Sequence, residues 1–289
     1  MLSEVVWEVP LFAATKTSDR LGVTFHRTFS LNRPAIAEIL RVAITERGQV
    51  NNSLLREQTN LGTIYIEAMP RYARGCGLLD LGSFAPTRFG ELALAHDPTL
   101  KHPATQWLMH YYLSAPQGPG PRFWHYLVTH TLRPGDVVDR AMVASEIARG
   151  LAAGEKLPGE GALNSTATVL LGSYAKPEGL QALGLLAAEG RNRYRVQAPD
   201  TPPMTALAVA LADYWAVAWG ERVTVSLQDL MRSDGFMSLF FLSTDQLEAA
   251  LQAMQRARLL ELHRLAPPYQ VVRLWDDPAA LVERLYEDD

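Results

Sequence analysis

The sequence is poor in the residues and runs that mark several protein classes. A single cysteine, Cys76, among 289 residues excludes an intramolecular disulfide and a cysteine-rich zinc module. No apolar run approaches the roughly 18 residues that a membrane-spanning helix needs, and the first residues lack a basic signal-peptide head. These shortages predict a soluble protein of the reducing cytoplasm, without a membrane partner.

Motifs for nucleotide and metal chemistry are missing as well. The chain has no glycine-rich phosphate loop, Walker lysine or dinucleotide fingerprint. Five of its seven histidines lie within residues 90–136, but no His-x-x-x-His pair occurs, and the nearby aspartates are scattered. We therefore predict no metal site, and expect the histidines to cap helices or to lie at the core edge. The cofactor stays unknown, with a divalent metal needed only if the protein nicks DNA.

Charge is low but unevenly distributed. The net charge is −4, yet residues 1–89 hold ten Lys/Arg against eight Asp/Glu. The last fourteen residues hold six acidic side chains against Arg284 alone. A DNA-binding face is compatible with this balance if it is local and modest, and a neutral surface with scattered arginines is the alternative.

One pattern occurs three times: a predicted helix reaches a small residue or arginine and a Leu-Leu pair, and a turn-rich or basic strand follows. The pairs are Leu78-Leu79, Leu185-Leu186 and Leu259-Leu260. This pattern is typical of the point where the recognition helix of a winged helix ends and its β-hairpin, the wing, begins. We predict a mainly α fold with small β-hairpins, made of serial winged helix-turn-helix domains joined by an aromatic helical connector.

The predicted organisation has four parts. Residues 1–95 form an N-terminal extension plus a winged helix, and residues 96–136 form the aromatic, histidine-rich connector. Residues 137–200 form a second winged-helix-like unit, and residues 201–289 form a C-terminal helical unit of the same kind with an acidic tail. A short strand at Val23-Thr24-Phe25 is also predicted.

The first unit contains one conflicting residue. Asn32 can cap a first helix, a second helix fits Ser53–Thr59, and a third spans roughly Thr63–Cys76. Pro70 lies within this third helix, where a missing backbone donor costs on the order of 3 kcal/mol. The pattern leaves two options: the helix is kinked at Pro70, or Pro70 begins it.

Six arginines are candidate DNA contacts. Arg71 and Arg74 lie one turn apart on the third helix, and Arg88 lies on its wing. Arg191, Arg193 and Arg195 alternate along a predicted strand, so all three would point toward one phosphate backbone. The alternative for each group is an ordinary solvated face.

Two sets of motifs resemble a known family. The first set is Phe25-His26-Arg27-Thr28-Phe29, then Leu61-Gly62 and Arg71-Tyr72 ahead of Gly77-Leu78-Leu79. The second is Thr87-Arg88-Phe89-Gly90-Glu91-Leu92-Ala93, Asp97-Pro98-Thr99-Leu100, Pro103-Ala104-Thr105-Gln106-Trp107-Leu108-Met109-His110 and Phe123-Trp124. Together they resemble a winged-helix family of prokaryotic DNA phosphorothioation defence islands that includes an SspB-like DNA-nicking component.

This resemblance implies a duplex-DNA-binding subunit, with DNA nicking as an open activity, in a phosphorothioation-type anti-phage system. The implied partners are double-stranded DNA, a cysteine desulfurase and a PAPS-reductase-like ATPase, with a homodimer as a further option. The implied motif residues are His26, Thr28, Phe29, Trp107, His110 and Trp124. Of these, His26 is the one candidate for general acid or base catalysis; the alternative is a hydrogen-bonding role at the first unit.

Two rival functions stay open. A winged-helix transcriptional regulator would use the same helices on a palindromic operator, as a dimer. A non-catalytic scaffold of a defence complex would use its wings on proteins, consistent with the near-neutral surface.

Overall fold

The computed structural model describes residues 20–151 and 155–287. The protein is mainly helical and carries two small antiparallel sheets. In these two ranges, no helix combines the length and the hydropathy required to cross a bilayer.

The first unit contains three packed helices followed by a tight turn. They are α1 (Arg33–Thr45), α2 (Asn52–Gln58) and α3 (Thr63–Gly75), and α4 (Arg88–His96) follows. The side chains of Asn32 and Asn51 accept hydrogen bonds from the first turns of α1 and α2, which confirms the predicted cap. Between α3 and α4, the pairing of Leu79 with Pro86 is an isolated bridge, so the predicted first wing contains no regular strand within the described residues.

Helix α3 begins at Thr63 and continues through Pro70. The option that Pro70 begins the helix is therefore wrong. The apolar side of α3 explains why the proline is tolerated: Ile66, Met69 and Tyr72 are fully buried against the core, and this burial offsets the lost backbone hydrogen bond.

The connector is a helical hairpin, as predicted. Helix α5 (Pro103–Ser114) and helix α6 (Arg122–Tyr126) flank a loop rich in proline and glycine, and a π-helical segment, Leu127–Thr131, extends α6. Arg20 donates hydrogen bonds to the carbonyl oxygens of Ala115, Pro116 and Gly120 and so fixes the loop. The aromatic residues of the hairpin lie in the core.

The second unit places two helices between the first and second strands of a sheet. Its elements are β1 (Val137–Asp139), α7 (Arg140–Arg149), α8 (Glu160–Ala175), β2 (Leu186–Gly190) and β3 (Arg193–Val196). The strand order is β1-β3-β2, with both pairs antiparallel.

The third unit has a similar order, with three helices rather than two between its first and second strands. Its elements are α9 (Met204–Trp219), β4 (Thr224–Ser226), α10 (Leu227–Leu230), α11 (Phe236–Leu239), α12 (Thr244–Arg256), β5 (Leu260–His263), β6 (Gln270–Arg273) and α13 (Pro278–Glu283). The sheet order is β4-β6-β5, the counterpart of β1-β3-β2. Ser243 and Gln246 form a capping box at the start of α12.

Two local predictions are wrong. Val23-Thr24-Phe25 forms part of a turn rather than a strand, because the amides of Phe25, Arg27 and Phe29 close short-range hydrogen bonds. Arg191 lies in the turn before β3, since Asn192 adopts a positive φ of 60° that ends the strand pairing.

Candidate nucleic-acid interface

The hairpin of the second unit carries the predicted basic strand. Strand β3 pairs with β2 from Leu186 opposite Val196 to Gly190 opposite Arg193, with a register shift between Ala188 and Gly190. Gly190 has a φ of 147°, a conformation that a side chain would strain. The bulge therefore interrupts the regular pairing just before the turn at Asn192.

The tip presents two arginines to solvent. Arg191 and Arg193 are exposed, and within the described part of the chain neither side chain forms a hydrogen bond or an ion pair. Arg195, on the same side of β3 as Arg193, is instead paired with Glu189 and donates to the carbonyl oxygen of Gly135 at 3.0 Å. Two of the three predicted side chains are thus free to bind an anion.

The arginines of α3 are engaged within the protein. Arg71 donates to the carbonyl oxygen of Phe25 at 3.3 Å. Arg74 donates to the carbonyl oxygen of Ser83 at 2.9 Å and lies 4.8 Å from the centroid of the Phe84 ring. Burial lowers the pKa of the Arg74 guanidinium, although Asp80 opposes the shift. These contacts hold the N-terminal turn and the loop after α3.

Arg88 was predicted on the wing, but it is the first residue of helix α4, and its guanidinium forms an ion pair with Glu283 of α13. Its guanidinium contacts both carboxylate oxygens of Glu283 at 2.5 and 2.7 Å, and Glu91 at 2.9 Å. The hydrogen bond from Arg88 lowers the pKa of the Glu283 carboxyl. A phosphate would have to displace two carboxylates to reach this arginine.

His26 connects the N-terminal turn to α8. The backbone N–H of Thr28 donates to His26 Nδ1 at 3.0 Å, so the proton is on Nε2, which lies 2.9 Å from Thr166 Oγ1. The ring is 2% exposed, and burial lowers the pKa of His26 to about 4. Both nitrogens therefore have partners and the ring is neutral at pH 7; its catalytic role stays a prediction.

The other residues of the first motif complete this turn. Thr28 has a positive φ of 71°, and its backbone N–H donates to His26 Nδ1. The Phe29 ring packs edge-on against Tyr65 with centroids 4.8 Å apart, and its carbonyl oxygen accepts from the Tyr72 hydroxyl at 2.9 Å.

The motif residues of the connector form a buried hydrogen-bonded chain. Trp124 Nε1 donates to the Tyr174 hydroxyl at 2.8 Å, and that hydroxyl lies 2.7 Å from His110 Nδ1. His110 Nε2 donates to the carbonyl oxygen of Leu239 at 2.7 Å. Burial lowers the pKa of His110 to about 4, so its neutral ring joins the connector to α8 and to α11. Trp107, 4% exposed, packs edge-on against the same ring.

The remaining connector histidines have structural partners. His102 caps α5 by accepting from the Ala104 N–H, and His125 contacts the carbonyl oxygen of Ser114 at 2.8 Å. His96 stacks on Tyr286 and His130 on Tyr126. Among the residues that the structure describes, no three His, Cys, Asp or Glu side chains form a group that could hold a metal ion.

Two cations that sequence analysis did not single out share a surface cleft. Arg41 on α1 and Lys101 in the loop before α5 both line it. Helical periodicity would have placed Arg41 on the outer face of α1, but no local pattern connects it to Lys101. Arg41 and Lys101 come together only because the tertiary fold places α1 next to the loop before α5.

Comparison with known proteins gives a family and a fold. Residues 65–284 match the family described as protein of unknown function, DUF4007. A crystal structure of magnesium-bound SspB superposes with a TM-score of 0.72 at 16% identity, covering 95% of this chain and 90% of that one. A second SspB crystal structure gives 0.72 at 18% identity, covering 92% and 86%. None of the curated protein sequences matches the chain. Because the family model spans most of its length, the chain belongs to the DUF4007 family.

Proposed function

We propose that this protein binds duplex DNA through the β2–β3 hairpin and the first half of α8. The observation that carries the proposal is the pair of unpaired arginines, Arg191 and Arg193, at the tip of a hairpin that follows two helices. The order strand, two helices, two strands, with the third strand in the centre, is that of a winged helix. In that fold, the helix before the hairpin enters the major groove and the wing lies along the backbone.

The surface of α8 supports this assignment. Its first half carries short polar side chains, Asn164, Ser165 and Thr168, that are exposed or half-buried. Lys156 is exposed just before the helix. Amide and hydroxyl groups at this position suit base-edge contacts, while Lys156 and the hairpin arginines suit phosphate contacts.

We infer that the setting is a DNA phosphorothioation system. The sequence motifs resemble the SspB-like component of such systems, and the fold is similar to that of two SspB crystal structures. The proposed partners are a cysteine desulfurase and an ATP-dependent PAPS-reductase-like protein, because the described residues offer no nucleotide-binding loop of their own. We also propose the domain boundaries predicted from sequence, with residues 137–200 as the recognition unit.

The test is duplex binding measured by fluorescence anisotropy between 50 and 200 mM salt. We expect the double variant Arg191→Gln/Arg193→Gln to bind more weakly and to reduce the slope of log K against log salt by about 2, one for each lost phosphate contact. Arg222→Gln/Arg256→Gln, which removes two exposed arginines of the third unit, is the charge-matched control. Equal losses in both variants would contradict the assignment to the hairpin, and no binding by the wild type would favour the protein scaffold.

Nicking is tested separately on supercoiled plasmid, with and without Mg²⁺, beside His26→Ala and His26→Gln. Open-circle product that both variants lose while still binding the duplex would assign chemistry to His26. Intact plasmid with duplex binding would leave this chain a recognition subunit, and a single palindromic site bound by a dimer would favour a transcriptional regulator.

A further inference from the structure

The first unit and the connector form a surface cleft away from the β2–β3 hairpin. A cleft of about 460 Å³ lies between α1, the turn after α2 and the loop before α5. This volume lies within the range of small-ligand sites, about 300–1,000 Å³. The three walls come from parts of the first unit and the connector that are distant in sequence.

The cleft holds an uncompensated positive charge. Arg41 from α1 and Lys101 from the loop line it together, and one carboxylate, Glu38, lies among the lining residues. Within the described ranges, none of these three side chains has an ion pair or hydrogen bond. Asn60, exposed at the turn after α2, adds an amide that can donate to an oxygen.

The loop that carries Lys101 is held rigidly. Both Asp97 carboxylate oxygens accept backbone N–H groups, from Lys101 at 2.9 Å and from His102 at 2.7 Å. The guanidinium of Arg33, 5% exposed, donates to the carbonyl oxygen of Leu100 at 2.8 Å. The buried arginine and aspartate therefore fix the backbone of Lys101 at the cleft, so binding needs to order only its side chain.

We propose that this cleft binds a phosphate group. Two cations and an amide that line one cleft, Arg41, Lys101 and Asn60, match the charge and the acceptor oxygens of a phosphate ester. The phosphate can belong to a free nucleotide or to a nucleic-acid backbone. Only the backbone source rests on the proposed function; the phosphate site itself does not depend on the hairpin.

The experiment uses the full chain and two probes: deoxyadenosine monophosphate, titrated by calorimetry, and a 20-base-pair duplex, titrated by anisotropy across salt. The variants are Arg41→Gln/Lys101→Gln, Glu38→Gln and the control Arg222→Gln/Arg256→Gln. Binding of the nucleotide that falls at least tenfold in the Arg41/Lys101 variant alone establishes a free-nucleotide site. No nucleotide binding, with a duplex salt slope reduced by about 2 in that variant, establishes a backbone site.

The Glu38→Gln variant tests whether the cleft prefers an anion or a cation as its ligand. If the cleft binds phosphate, removal of its carboxylate tightens binding of the responding probe by a few-fold, whereas a cation site would be weakened. If the wild type binds duplex but the Arg41/Lys101 and Glu38 variants match it with both probes, the cleft proposal is overturned while the proposed function stands. If the nucleotide binds at Arg41 and Lys101 but no duplex binds, the cleft proposal stands and the proposed function is overturned.

Discussion

The β2–β3 and β5–β6 hairpins have the same topology and opposite surface chemistry. At the tip of β2–β3, Arg191 and Arg193 are exposed and unpaired within the described residues. The β5–β6 tip instead exposes the fully accessible Leu265, a Pro-Pro pair and the half-exposed Tyr269. The repeated order of helices and strands thus defines a scaffold, and the residues of a few turn positions define what it can bind.

The charges of the two units extend this difference. Residues 137–196 hold seven Lys/Arg against six Asp/Glu, whereas residues 204–287 hold seven against eleven. On α12, the helix that corresponds to α8, Asp245 is exposed and Glu248 is half-buried. We therefore expect the third unit to contact protein rather than phosphate, while both units are joined through the connector.

The largest expected effect is the loss of folding stability in acid, through three histidines that hold the units and the connector together. His26, His110 and His125 each have a pKa lowered to about 4 by burial, below the ordinary 6.5. As pH falls from 6.5 toward 4, the unfolded chain binds protons that the folded chain does not, so the free energy of unfolding decreases. Each histidine contributes on the order of 2 kcal/mol, measured by urea unfolding between pH 7.5 and 4.5.

Asp213 provides the control for this pH dependence. Burial raises its pKa to about 7, above the ordinary 3.8, although the hydrogen bond from Tyr111 opposes the shift. Its contribution to stability is complete below pH 3.8 and is lost as pH rises through 7, opposite in sign to that of the histidines. Asp213→Asn should therefore show a steeper loss on acidification than the wild type; a shallower one would contradict the assignment.

The substitution His110→Ala should weaken the packing of the connector against α8 and α11 at neutral pH. The substitution leaves a cavity and removes the partners of the Tyr174 hydroxyl and the Leu239 carbonyl. We expect a loss of about 3 kcal/mol in the free energy of unfolding, from the cavity and the unpaired polar groups. His263→Ala, an exposed histidine on β5, should change stability by less than about 0.5 kcal/mol. Similar losses of stability in the two variants would show that the buried hydrogen bonds of His110 do not hold the connector to its neighbours.

The smallest expected effect comes from placing two arginines at the tip of the β5–β6 hairpin, as in the β2–β3 hairpin. Leu265→Arg/Tyr269→Arg gives the β5–β6 hairpin two exposed cations, but Glu248 of α12 lies beside the tip, where it pairs with Arg264. We expect duplex affinity, measured by anisotropy at 100 mM salt, to change by less than about threefold, the contribution of one phosphate contact. A tenfold gain would mean that tip charge alone, without the helix, decides DNA binding.

The predictions from sequence succeeded where the signal is local. The cap at Asn32 and the helices of the connector follow from residues a few positions apart. The candidate site could be predicted less well from sequence, because an arginine in a sequence gives no indication of its partner. Arg88 is bonded to Glu283, 195 positions away, and the approach of Arg41 to Lys101 depends on how α1 packs beside the connector.

The pairing of Arg88 with Glu283 also has a consequence for synthesis on the ribosome. At roughly 5–20 residues per second, Glu283 is made about 10–40 s after Arg88. Throughout that interval α4 lacks both its ion-pair partner and the Tyr286 ring that stacks on His96. The face of α4 that Glu283 and Tyr286 cover in the folded protein is therefore exposed in the nascent chain until these two residues have been synthesised.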